Sequence, residues 1–186
     1  MKVYQFMADG FEDIEALIPL DVMRRGGVEF VTVSINGSKE VTSSHGVTMK
    51  TDMIFEEACF DDADLLMLPG GMPGAENLNN HEGVKKALTA QAEKGKLVAA
   101  ICAAPMVLGG LGLLKGRRAT CYPGFEEFLT GAEYTEELCT VDGNIITGEG
   151  PAAALPYAYT LLRMLAGEAT SYAIAEGMRF VHLMER

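Results

Sequence analysis

One cysteine, one glutamate and a pair of glycines are the residues of this chain best placed for covalent chemistry. Cys102 ends the apolar run "KLVAAIC" and is followed at once by "AAP". A strand that passes straight into a helix through a nucleophile forms a sharp elbow and lifts the side chain out of the turn. Ala100, Ala103 and Ala104 are small enough for that crowding. The N–H groups opening the next helix favour a thiolate and so predict a lowered thiol pKa. Packing is the alternative, because cysteine is among the most buried residue types. The stretch alone leaves both readings open.

The partners of such an elbow are sought at neighbouring strand ends. "LPGG" (68–71) places Gly70 and Gly71 where bare backbone amides, with that of Ala103, make an oxyanion hole. A plain strand-to-loop turn is the other reading. "GEGPAAAL" (148–155) marks a further glycine-flanked strand end. On a helix turning about 100° per residue, Ile14, Leu17, Ile18 and Val22 define an apolar stripe with Glu15 on its edge. Glu12 and Asp13 project away from it. Pro19 sets its ring against the Glu15 carbonyl, so a distortion is expected there. An inward Glu15 beside a thiolate would have a raised pKa and donate a proton to the sulfur or to substrate; a snorkelling helix-edge glutamate is the alternative. Asp21 also falls on the stripe, as a second buried acid or a helix-end contact.

Alternating segments must position these residues. Strands are expected at 2–7, 28–35, 63–71, 96–102, 117–123 and 143–150, with an extended hairpin over 39–55 that turns near Ser44–Gly46. Helices are expected at 13–27, 81–95, 104–114 and 151–167, and a last one over 168–182. This alternation predicts one α/β domain over residues 1–186: a mainly parallel sheet between two helical layers, binding ligands at its C-terminal strand ends.

Composition narrows the function. Against 26 acidic side chains stand 15 basic ones, a net charge of -11, which argues against nucleic-acid binding. No apolar stretch approaches the ~18 residues of a membrane span. The N-terminus has too short an apolar run for a signal peptide. Cys59, Cys102, Cys121 and Cys139 show neither CxxC nor zinc spacing. Free thiols in the cytoplasm, with no metal and no organic cofactor, are expected.

Four segments, "DGFEDIEALIPLDVMRR", "LLMLPGGMPGAENL", "AAICAAP" and "ITGEGPAAA", occur in order along nearly the whole chain. Together they resemble the ThiJ/PfpI superfamily, most closely its DJ-one branch. The resemblance implies a flavodoxin-like three-layer α/β sandwich, usually a homodimer. It carries a reactive, oxidation-sensitive cysteine onto Cys102, its conjugate acid onto Glu15, and the oxyanion amides onto Gly70, Gly71 and Ala103. It implies substrate contacts from Arg25 and His45, and from Tyr122, which stands where the branch often has histidine. The peptidase-like branch has a histidine directly after the cysteine, and here that residue is Ala103. His81 and His182 are expected on a surface helix and in the tail. Cys121, at the end of the expected 117–123 strand, is either a resolving thiol or a core residue. The function implied is a cysteine-dependent enzyme acting on small aldehydes or glycated adducts. The alternatives are a redox sensor or chaperone and a cysteine peptidase or hydrolase.

Overall fold

The computed structural model describes residues 1–185. Its strands are β1 (Lys2–Met7), β2 (Glu29–Ser34), β3 (Glu40–Thr42), β4 (Thr48–Lys50), β5 (Met53–Ile54), β6 (Leu65–Leu68), β7 (Leu97–Ile101), β8 (Arg118–Ala119), β9 (Glu133–Tyr134), β10 (Cys139–Asp142) and β11 (Ile145–Gly148). Its helices are α1 (Asp13–Arg25), α2 (Gly74–Asn80), α3 (Glu82–Glu93), α4 (Pro105–Gly110), α5 (Ala154–Ala166), α6 (Glu168–Gly177) and α7 (Phe180–Met184).

β6 and β11 are buried at every position, and β1 and β7 at all but their first residue. Such continuously apolar strands need cover on both faces, and parallel sheets provide it. Seven strands run in the order β10-β11-β7-β6-β1-β2-β5, parallel throughout except for the antiparallel pair β10–β11. α1 and α5 pack together on one face, and α2 and α3 cover the other. This is the flavodoxin-like α/β sandwich. Among the described residues no helix is long and apolar enough to cross a membrane.

Sheet register sets up the site. Leu68 pairs with Ala100, and Ile101 with Gly148. The strand ends at 68, 101 and 148 therefore lie side by side, and the loops leaving them meet at one rim, the expected place in a parallel sheet.

Several expectations need correction. Residues 117–123 are not a strand of the main sheet. Arg118 and Ala119 pair with Glu133 and Tyr134 in a separate ribbon, while Thr120 leans on β11 through its N–H to Thr147 Oγ1, 2.9 Å. The expected 104–114 helix is the short α4, and the expected last helix divides into α6 and α7. α2 and β10 were not foreseen. The apolar stripe of α1 is also different. Ile14 and Leu17 are 45 % and 40 % exposed, and the buried face is Glu15, Ala16, Pro19, Val22 and Met23. Asp21 lies outside, paired with Arg25 at 2.8 Å.

Candidate active site

Cys102 follows β7 directly and adopts φ 65°, a left-handed conformation that costs a non-glycine residue about 1 kcal/mol or more. The turn is pinned on both sides. The Cys102 N–H donates to the Gly148 carbonyl at 2.9 Å, and the Tyr122 N–H donates to the Cys102 carbonyl at 2.9 Å. The side chain is 8 % exposed, and the backbone amides of Gly71 and Ala103 lie near enough to its sulfur to favour the thiolate.

Glu15 is fully buried. Its Oε2 accepts the Gly70 N–H at 2.9 Å, while Oε1 is buried without a partner in hydrogen-bond geometry. The Cys102 thiol stands beside the carboxyl. A Cβ on Gly70 would lie 2.5 Å from Glu15 Oε2 and 2.6 Å from Cys102 Cβ, so only glycine lets the two acids approach. Three hydrogen bonds close a ring here. Glu12 N–H donates to Gly70 C=O at 3.0 Å, Gly70 N–H to Glu15, and Glu15 N–H to Glu12 Oε2 at 2.8 Å.

Burial raises the Glu15 pKa to about 7, against the opposing pull of the thiol and the Gly70 amide; the Glu12 carboxylate raises it further. Burial also pushes the Cys102 thiol up, and a charged Glu15 pushes it higher, opposed by the Gly71 and Ala103 amides. The expectation of a simply lowered thiol pKa is thus corrected. α4 is short, and the buried carboxyl outweighs its N-terminus. Two acids this close share one proton through neutrality. The unpartnered Oε1 is the natural seat for it, because the Gly71 and Ala103 amides favour a charged sulfur while nothing in hydrogen-bond geometry favours charge on Oε1.

The other expected site residues divide. Gly71 and Ala103 face the sulfur. Gly70 does not donate into that space, because its N–H is spent on Glu15. Arg25 is ten residues along α1, about 15 Å of helix rise from Glu15, and is committed to Asp21. His45 reaches Asp13, with Nδ1 2.6 Å from Oδ2, which raises the His45 pKa. Tyr122 touches Cys102 through its backbone, and its 46 % exposed side chain lies over Gly150.

Cys121 is buried, its thiol pushed up to about 12 by burial; that favours the core reading. All four cysteines are free. Donor atoms of Glu12, Asp13 and His45 lie within 4.8 Å of one another, although the sequence shows no metal-ligand spacing. Those of Glu12 and Asp13 are engaged by Glu15 N–H and by His45.

A mostly parallel sheet with a strained cysteine in the turn after a central strand, and a buried acid beside it, defines an α/β protein with a strand–turn–helix elbow at Cys102. The DJ-1/PfpI family profile matches residues 1–164, and the chain belongs to that family. It is 39 % identical over 169 residues to Protein DJ-1 homolog B of Arabidopsis thaliana, covering 90 % of this chain and 39 % of that protein. The chain thus spans about two fifths of that plant protein's length. A protein of Pyrococcus abyssi named as a deglycase is 33 % identical, with coverage of 89 % and 99 %. The structure of oxidized Toxoplasma gondii DJ-1 superposes with a TM-score of 0.91 at 34 % identity, covering 95 % of this chain and 97 % of that one.

Proposed function

We propose that the chain is a cofactor-independent enzyme that uses Cys102 on small reactive carbonyls or their amine adducts. The arrangement of Cys102, with the Gly71 and Ala103 amides near its sulfur and Glu15 beside it with a free Oε1 to hold the proton, carries this reading. The deglycase name of the Pyrococcus relative supports it. With methylglyoxal, the thiolate adds to the aldehyde carbon. The carbonyl π pair becomes an alkoxide in reach of the Gly71 and Ala103 amides, and Glu15 supplies its proton. Glu15 then takes the hydrogen from that carbon and returns it to the neighbouring carbonyl carbon, while the hydroxyl proton passes to that carbonyl's oxygen through an enediol. The resulting thioester is hydrolysed, so methylglyoxal and water give lactate with no external oxidant or reductant. From an adduct, the amine leaves with a proton. Lactate formed above a Cys102→Ala control, from methylglyoxal or from its adduct with a blocked lysine, is the expected result. None from either substrate would remove the reading.

A redox sensor is the second reading, favoured by a nearly buried sulfur beside the Gly71 and Ala103 amides, which would hold the oxygens of a sulfinate. The oxidized Toxoplasma relative supports it. Peroxide-selective oxidation of Cys102 without turnover of either substrate would select it. A homodimer belongs to the proposal in either case, with the exposed Ile14 and Leu17 as apolar surface for it. A Cys–His peptidase is disfavoured. His45 is bound to Asp13, His81 caps α3 by accepting the Val84 N–H, and His182 lies on α7.

A further inference from the structure

A cavity of about 250 Å³ adjoins the elbow, walled by Tyr122, Pro123, Glu149 and the 150–153 turn. Two of its walls are joined to Cys102 itself. Tyr122 donates its N–H to the Cys102 carbonyl, and the Cys102 N–H binds the carbonyl of Gly148, the residue before Glu149. The rest of the lining is small or apolar. The Tyr122 ring packs over Gly150, where a Cβ would lie 3.1 Å from it.

Glu149 is the one charged residue of this lining. Its N–H is fixed on the Leu138 carbonyl at 3.0 Å, which holds its backbone in place. Among the described residues no cation pairs with its carboxylate. The neighbourhood is acidic throughout. The Tyr134 hydroxyl, raised first by burial, also feels Cys121, Glu126, Glu136 and Glu149. The guanidinium of Arg118 is committed to Glu137 at 2.7 Å. A low-dielectric recess lined by one sign of charge concentrates the opposite sign.

We infer that this cavity receives the amine portion of the substrate, and that Glu149 selects ammonium-bearing adducts of small carbonyls over carboxylate-bearing ones. A free neutral dicarbonyl gains nothing from Glu149. The word substrate rests on the enzymatic reading above; the charge preference belongs to the cavity alone.

The test compares Cys102 modification by three methanethiosulfonate reagents: trimethylammonium-ethyl, sulfonate-ethyl and neutral methyl. In each, the sulfur attacks the reagent's sulfenyl sulfur and releases methanesulfinate. Rates are read peptide by peptide and normalised to the neutral reagent. Exposed Cys59, with its thiol 3.8 Å from Asp61 Oδ2, reports the pull of the acidic surface of a chain of net charge -11. At low salt the cation-to-anion ratio at Cys102 should exceed that at Cys59 by roughly tenfold. It should fall to the Cys59 level in Glu149→Gln and below it in Glu149→Arg. A ratio at Cys102 unchanged by Glu149→Gln overturns the inference. Absence of turnover would sink the enzymatic reading and leave this ratio standing. If turnover is seen, Glu149→Gln should reduce kcat/KM more for the amine adduct than for the free dicarbonyl.

Discussion

Gly70 holds Glu15 by a 2.9 Å hydrogen bond to Oε2, and in doing so it gives up its own place among the amides that face the sulfur. Gly70→Ala sets a Cβ against both Glu15 Oε2 and Cys102 Cβ, and 2.9 Å from the Ile101 carbonyl. Overpacking of this kind costs about 1–3 kcal/mol. The variant should unfold at lower denaturant and lose Cys102 reactivity. Parent-like behaviour in both measurements would contradict the close approach described here.

The pH dependence of Cys102 alkylation belongs to a pair. In the parent, reactivity should rise through pH of about 7, where Glu15 and Cys102 together give up their first proton. In Glu15→Leu the thiol must ionise in a buried site with no neighbouring proton store. Its midpoint should move above the free-cysteine value of about 8.5. Peptide-resolved alkylation checks this, with Cys59 as the exposed control. The same midpoint in both proteins would show that the two groups are uncoupled.

Stability should carry the mark of Glu15 as well. Its pKa is 4.5 in the unfolded chain and about 7 when folded. Between those values the native state holds more protons than the unfolded state. Stability is therefore full below pH 4.5 and declines as pH rises through 7, by on the order of 3 kcal/mol. Glu15→Gln removes the titration. It should be more stable than the parent at pH 8, with the difference gone by pH 4. Urea denaturation at the two pH values gives the answer, and a difference that does not vary with pH would refute the assignment.

At position 102 glycine should outperform alanine. The left-handed backbone, φ 65°, strains any side chain but costs glycine nothing. Cys102→Gly should be about 1 kcal/mol more stable than Cys102→Ala in thermal or chemical denaturation. The reverse order, normal for most positions, would mean that the turn relaxes when the sulfur is removed.

Much of the frame was legible because it rests on local signals. The runs "LLML" and "LVAAI" are buried strands, Pro-Gly-Gly ends one of them, and Cys102 ends the other. Glu15 was read as inward from a stripe that turned out to be wrong. Ile14 and Leu17 suggested the core by composition, yet they face out, and the buried face runs through Pro19 and Met23 instead. Arg25 was placed by resemblance, and only the helix rise shows how far it stands from Glu15. The use of the Gly70 amide was not readable, because two adjacent glycines look alike until one of them meets a carboxylate. Glu149 lies inside "ITGEGPAAA", but nothing local tells which way a side chain leaves a strand end.

The ring of hydrogen bonds through Glu12, Gly70 and Glu15 joins positions 55 residues apart in the chain. Until that ring closes Glu15 is an ordinary solvated glutamate, whether or not α1 has formed. It becomes a weak acid when the β6 loop docks and closes the ring. Proton uptake near neutral pH is therefore a timing mark for folding. A pH indicator in a refolding experiment would register the moment at which the chain becomes chemically competent, separately from the moment at which it becomes helical.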